Sequence, residues 1–340
     1  DFTARHGFDF ANLLNILDRM KGLRVIVIGD TIVDEYITCD PIGMSQEDPT
    51  IVVTPVSQEK FIGGAAIVAA HTKGLGAEVE YFSVIGKDGT SDFVAKVLHD
   101  YGVAAHLYKD ESRPTTLKQR YRAREKTLLR VSHLRQHAIS PDIREAMLKD
   151  VKERLDTADL LIFSDFNYGC LPQSLVDSIV EECTKHGVMM VADSQSSSQV
   201  GDVSRFRNMA LVTPTEREAR LALQDFDSGL VVLAEKLRQK GNARNVIITL
   251  GAEGVLIHAE TGQSDTWLTD RLPAMNTAPK DVAGAGDSFL TGVSLSMAVG
   301  ANIWQASYLG SLAAACQIGR IGNIPMSLDE ISAEIATGGV

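Results

Sequence analysis

At 340 residues, with 44% hydrophobic and 23% charged residues, the chain can bury a large core, which excludes a disordered or fibrous protein and fits one large α/β domain with accessory elements. Its net charge of −11 argues against nucleic acid or an anionic membrane as partner, because phosphate backbones reward clustered Lys and Arg. Four widely separated cysteines (Cys39, Cys170, Cys183, Cys316) without a C-x-x-C pair argue against a zinc site or disulfide framework, and the lack of an apolar run near the ~20 residues of a membrane span points to the cytoplasm.

Residues 9 to 21 place Phe10, Leu13, Leu14, Leu17 and Met20 at helical spacing, and Gly22 ends that helix before the buried first strand Arg24–Gly29. The chain therefore divides into an N-terminal helix over 1–22 and one large domain over 23–340. The segment Glu35–Phe61 is rich in Thr, Val and Tyr, with partial two-residue alternation and no helical stripe. Next come a strand at Val79–Ile85, a helix at Ser91–Tyr101 and a second β-rich excursion at Thr115–His133. Strands at Leu160–Ser164, Val188–Asp193, Leu211–Thr213 and Val246–Leu250 then alternate with helices at Asp142–Leu155, Pro172–His186, Glu216–Leu223 and Leu230–Lys240. Such alternation implies a mainly parallel sheet covered on both faces, with ligands at the carboxyl ends of its strands. The excursions 35–61 and 115–133 read as a small separate sheet, a flap that covers those ends and leaves an edge for a second subunit. The plainer alternative is an ordinary hairpin.

The most informative stretch is Asp281-Val-Ala-Gly-Ala-Gly-Asp-Ser288, running into the apolar helix Phe289–Val299. Gly284, Ala285 and Gly286 let the backbone approach a ligand, and the N–H groups opening the helix form an anion hole. Phosphate repels an aspartate, so Asp287 needs a reason to stand there. Taking a proton from an attacking hydroxyl supplies one; a helix cap after a glycine turn is the bland alternative. A lone G-x-G-D leaves the two even, and the surrounding residues decide.

The D-x-x-G-A-G-D-[ST]-F pattern resembles the second signature of the PfkB sugar-kinase family. Gly29-Asp30 with Asp34, and then Gly63-Gly64-Ala65-Ala66, match its early features in order. The resemblance spans about residues 23 to 328 and implies a ribokinase-like three-layer sandwich with a small β-sheet lid. By the same resemblance Asp30 and Asp34 bind the sugar, and Gly63 and Gly64 act as the lid hinge. Glu218, in Leu211-Val-Thr-Pro-Thr-Glu-Arg-Glu218, organises Mg²⁺ and its waters. Thr215, Thr249, Gly251 and Gly254 lie beside ATP.

Within the family, the likeness is greatest to heptose-7-phosphate kinases. Ser45, Glu47 and Pro49 fit an S-P-E-x-P loop, and Ser164-Asp165-Phe166 fits S-D-Y. Pro114-Thr-Thr-Leu-Lys-Gln-Arg120 with Arg124, Leu128 and Arg130 fits the family's flap. Lys118, Arg120 and Arg124 thereby become candidates for a sugar-phosphate grip, since Arg forks suit a dianionic phosphate; solvated charges on an exposed ribbon are the alternative. Departures gather near the sugar: Ile67 replaces an asparagine, Thr215 the asparagine of T-P-N, and Asp193-Ser194-Gln195-Ser196 the D-P-K-G turn. The expected protein is thus an ATP- and Mg²⁺-dependent kinase of a sugar or sugar phosphate, dimeric through its lid, with Asp287 as base and Gly284–Gly286 holding phosphate. A PfkB kinase for another sugar or a nucleoside is one rival, and a non-catalytic nucleotide or sugar sensor on the same scaffold is another. The start at Asp1 is compatible with a piece of a longer polypeptide.

Overall fold

The structure, a computed structural model, describes residues 2–124, 126–196, 200–260 and 268–336. It opens with helices α1 (Phe2–Arg5) and α2 (Phe10–Arg19), the latter started by a reciprocal cap between Asp9 and Asn12. Strand β1 (Arg24–Gly29) leads directly into two long lid strands, β2 (Thr31–Met44) and β3 (Ile51–Gly64). Helix α3 (Ala65–Gly74), β4 (Glu78–Ile85), α4 (Gly89–Asp100) and β5 (Ala104–Lys109) follow. The chain then returns to the lid as β6 (Thr116–Ala123) and β7 (Lys126–His133). The rest alternates: α5 (Pro141–Lys152), β8 (Leu160–Asp165), α6 (Gln173–His186), β9 (Met189–Ser194), β10 (Leu211–Val212), α7 (Glu216–Leu223), α8 (Leu230–Gly241) and β11 (Asn245–Thr249). Strands β12 (Val255–His258) and β13 (Thr269–Leu272) and helices α9 (Ala285–Ala298), α10 (Ile303–Ile318) and α11 (Leu328–Ala336) complete it.

Among the described residues the main sheet has the order β13-β12-β11-β10-β9-β8-β1-β4-β5, parallel from β11 to β5 and antiparallel at β12 and β13. Its two-residue alternation divides the core. Val25, Val27, Leu160 and Ile162 pack with α2, α3, α9 and α10 on one face, while Ile26, Ile28, Leu161 and Phe163 pack with α5, α6, α7 and α8 on the other. A sheet apolar on both faces must be covered on both, and the three-layer α/β sandwich follows. From the central β1 the order runs one way to β4 and the other way to β8. That switch point opens a crevice at the strand ends.

The small sheet, order β3-β2-β6-β7, stands apart from the main one. It begins closer to β1 than expected: β2 starts at Thr31, so Asp34 lies within a lid strand. Gly64, at φ 60 and ψ −143, joins β3 to α3, and a Cβ there would meet the Asp30 carbonyl oxygen at 2.5 Å. Only glycine fits that joint. Within the N-terminal segment, Leu13, Ile16, Leu17 and Met20 pack into the main core. Short β5, β12 and β13 escaped the sequence reading. No helix among the described residues is long and apolar enough to cross a membrane.

Candidate active site

A cleft of about 740 Å³ opens at the strand ends, within the usual range for small-molecule sites. One end is lined by Thr249, Gly251, Gly254 and the mostly small or apolar side chains Ala274, Met275, Ala314, Ala315 and Ile318; the other by Asp34, Lys118, Arg120, Arg130 and Phe166. Asp193, Gln195, Thr215, Glu218 and the turn 282–287 lie between them.

The turn is shaped by Asp281. Its carboxylate accepts hydrogen bonds from the Ala283 N–H (3.1 Å), the Gly322 N–H (3.2 Å) and the Tyr36 hydroxyl (2.6 Å), the last reaching down from lid strand β2. Gly284 follows at φ 77, and no side chain caps α9. The Ala285 N–H donates to the Val282 carbonyl (3.4 Å), and the Gly286 and Asp287 N–H groups, with no side-chain cap, stand at the positive end of the helix dipole. Ala285 and Gly286 line the cleft.

Asp287, in that first turn, is 6% exposed. Burial pushes its carboxyl up to about 7; the nearby Asp34 charge adds to this, and Lys118 and a hydrogen bond from Gln195 partly offset it. Gln195 Nε2 lies 3.3 Å from Asp287 Oδ1 and 3.3 Å from Asp193 Oδ2. A neutral amide thus bridges two carboxylates. Burial, with Glu218 and Asp287 close by, holds Asp193 well above the usual carboxylate range.

Glu218 is fixed by the cap of α7: Oε2 accepts from the Thr215 N–H (2.8 Å) and Oε1 from the Ser196 N–H (2.8 Å), while Thr215 Oγ1 accepts from the Glu218 N–H (3.2 Å). No cluster of three or more His, Cys, Asp and Glu among the described residues could hold a metal ion. Asp193 and Glu218, buried and without a Lys or Arg within ion-pair distance among the described residues, suit a divalent ion that keeps its waters and phosphate ligands.

Thr249 and Thr215 are joined by an isolated parallel bridge, and both line the cleft. Gly254, at φ 90, carries the hairpin into β12; a Cβ there would meet the Leu272 carbonyl oxygen at 2.1 Å. Gly251 has open space around it and lines the cleft.

At the opposite end Arg120 donates from Nη2 (3.1 Å) and Nε (3.3 Å) to Asp34 Oδ1. Lys118 is 5% exposed, with its ammonium 5.6 Å from the Phe166 ring centroid and 5.2 Å from that of Tyr168. Among the described residues no carboxylate reaches it within ion-pair distance. A desolvated cation on two aromatic faces is held in place without being neutralised.

Two sequence expectations are corrected. Asp30 does not line the cleft: Oδ2 accepts from the N–H groups of Phe166 (2.7 Å) and Tyr168 (3.4 Å), and Oδ1 from Cys170 (3.2 Å). Its carboxylate ties down the loop after β8, and burial with the neighbouring Asp165 charge raises it to about 6. Arg124 stands exposed at the β6–β7 turn, at φ 48, away from the cleft. Arg130, which pairs across the hairpin with Arg120, lines it instead. Asn323 and Tyr36 were missed as site residues, since only tertiary contact brings them there; Asp281 opens the D-x-x-G-A-G-D-[ST]-F pattern but was given no role. Asp30→Ala should destabilise the fold by on the order of 3 kcal/mol in urea titration, since three buried N–H groups lose their acceptor. A wild-type midpoint with a raised sugar KM would return Asp30 to substrate binding.

The family model for pfkB family carbohydrate kinases matches residues 23–330. The chain belongs to that family. Among curated relatives, the D-beta-D-heptose 7-phosphate kinase of Bordetella bronchiseptica is 28% identical over 93% of this chain and 97% of its own. The bifunctional protein HldE of Methylobacillus flagellatus is 29% identical over 92% of this chain but 63% of its own. The chain thus spans just under two thirds of that relative. Phosphofructokinase-2 from Escherichia coli superposes with a TM-score of 0.74 at 17% identity, covering 93% of this chain and 99% of its own. Ribokinase from Arabidopsis thaliana, solved with ribose and ATP, gives 0.72 at 15% identity over 93% and 99%. At such identities these two establish the ribokinase-like fold, and the pfkB fold is the one the sequence implied.

Proposed function

We propose that this pfkB-family chain transfers the γ-phosphoryl group of ATP to a hydroxyl of a sugar phosphate, with a heptose 7-phosphate as the best-matched acceptor. One observation carries the reading: Asp287 sits on the first turn of an uncapped helix, between an end suited to a nucleotide and an end bearing a free buried cation. The adenine side is the small, apolar end near Gly251 and Ala315; the phosphates lie along the Gly284–Gly286 turn. The acceptor's phosphate faces Lys118, Arg120 and Arg130, and one of its hydroxyls faces Asp287. That hydroxyl oxygen bonds to the γ-phosphorus, the bond to the ADP oxygen breaks, and the proton passes to the Asp287 carboxylate. Magnesium, when bound, would supply positive charge to offset that of the phosphates; Glu218 and Asp193 would hold its waters. The chain's own contribution is positioning and exclusion of water, because phosphoryl transfer asks little else of a protein.

The lid supplies a further element of the reading. Ile42, Met44, Ile51, Val56 and Leu129 are exposed on three of its four strands, an apolar surface suited to a second copy of the chain. A homodimer through the lids buries them. The similarity to the D-beta-D-heptose 7-phosphate kinase of Bordetella bronchiseptica supports the heptose assignment, whereas Ile67 and Gln195 mark a modified sugar side.

ADP release with Mg²⁺ and ATP across sugars, sugar phosphates and nucleosides, including heptose 7-phosphate, tests this. The expected result is turnover with the heptose phosphate that disappears when Mg²⁺ is chelated. Turnover with another acceptor only would replace the substrate, and ATP binding without turnover on any acceptor would favour a sensor.

A further inference from the structure

The side-chain amide of Asn323 is 5% exposed, lines the cleft, and its Oδ1 has no hydrogen-bond partner among the described residues. An orphaned buried amide is costly, so such groups are normally paired or kept for a ligand. The backbone beneath it is held from three sides. The Gly322 N–H donates to Asp281 at 3.2 Å, Gln317 Nε2 donates to the Gly322 carbonyl at 2.9 Å, and the Phe61 ring fills the space where a Gly322 side chain would stand. The amide is therefore fixed where the lid base, the phosphate-side turn and the end of α10 meet.

Its surroundings indicate what it would bind. A Cβ on Gly284 would come within 2.1 Å of Asn323 Oδ1, and a Cβ on Gly63 would lie 2.8 Å from Asp34 Oδ2 and 3.3 Å from Asn323 Nδ2. The two glycines leave open a notch with a carboxylate on one side and an amide on the other. A carbonyl oxygen and a carboxylate repel phosphate oxygens, whereas each accepts a proton from a hydroxyl. We propose that Asn323 is a specificity-determining residue that accepts a hydrogen bond from a hydroxyl of the acceptor sugar, beside a second hydroxyl taken by Asp34. This rests on the reading that the acceptor occupies the Asp34 end of the cleft. The notch supplies a polar contact on the sugar side, where α3 offers only the buried side chain of Ile67.

The experiment compares Asn323→Leu, which keeps the branching and heavy-atom count, and Asn323→Ala with wild type. Kinetics use heptose 7-phosphate and its monodeoxy analogues, and ligand-free protein is melted in parallel. Both variants are expected to raise acceptor KM at least tenfold, with ATP KM within twofold, and one deoxy analogue should respond to neither substitution because it lacks the contacted hydroxyl. Ligand-free Asn323→Leu should melt at or above the wild-type temperature, because it removes an unpaired buried carbonyl oxygen. An unchanged acceptor KM, or an equal loss on every deoxy analogue, overturns the assignment. So does a melting temperature several degrees below wild type, which identifies the amide as structural. If wild type turns over none of the acceptors, the acceptor reading fails by that control, and the melting comparison still decides whether the amide serves the fold.

Discussion

Asp287→Asn is expected to lower kcat by about 10²- to 10⁴-fold, the usual worth of a positioned base, with KM for ATP little changed. The nearly isosteric amide keeps the first turn of α9 intact while removing the proton acceptor. In wild type, kcat/KM should fall on the acid side through about pH 7, where burial has pushed this carboxyl. The same shift has a consequence for stability. A carboxyl at about 7 in the folded chain and about 3.9 when unfolded holds its proton more tightly when folded. Its stabilising contribution is whole below the unfolded value and is lost as the pH rises through 7. Ligand-free Asp287→Asn should therefore melt above wild type at pH 8, by on the order of 2–4 kcal/mol, with the gap narrowing toward pH 5. A kcat within tenfold of wild type would remove Asp287 from the role of base. A gap independent of pH would show that its folded-state ionisation is ordinary.

Gln195 lowers that carboxyl only through a hydrogen bond, not through charge. The resembled family turn has a lysine where this chain has Gln195, and an ammonium between Asp193 and Asp287 would hold both ionised. The amide donates to each at 3.3 Å but adds no positive charge. Relief must come from Lys118 within the chain and from a cation that accompanies the nucleotide.

The parts of the site legible in the sequence were those whose chemistry is local. Gly284 to Asp287 fold as a turn and a helix start, so the uncapped helix start and its aspartate could be read from consecutive residues. Thr215 and Glu218 were legible for the same reason, since a residue and its third neighbour form a capping box. The layers followed from two-residue and 3.6-residue periods. Asp30 misled because a strand-end aspartate looks alike whether it faces a ligand or a loop, and its partners at Phe166, Tyr168 and Cys170 are over 130 residues away. Arg124 and Arg130 were exchanged because the turn of the β6–β7 hairpin decides which arginine returns opposite Arg120. Asn323 and the Tyr36–Asp281 bond join segments more than 240 residues apart. No period or motif announces such a meeting.

Lys118→Met is expected to raise KM for a phosphorylated acceptor by about 10- to 100-fold, the loss of one charge-assisted contact. The substitution keeps an unbranched apolar stem between Phe166 and Tyr168, so the effect reads the charge rather than the packing. Arg120 cannot fully replace it, because its guanidinium is already shared with Asp34 at 3.1 Å. The corresponding unphosphorylated sugar provides the control: its weaker turnover should change far less, since it has no dianion to lose. A second readout is independent of affinity. Lys118 lowers the Asp287 carboxyl, so removing its charge should move the acid limb of kcat/KM to higher pH. If Lys118 were only a packed cation on two aromatic rings, both acceptors would keep their KM and the variant would be as stable as wild type or more so, because a buried charge had been deleted. A phosphate-selective loss accompanied by an upward limb would place one ammonium between the acceptor's phosphate and the base, charging the first and tuning the second.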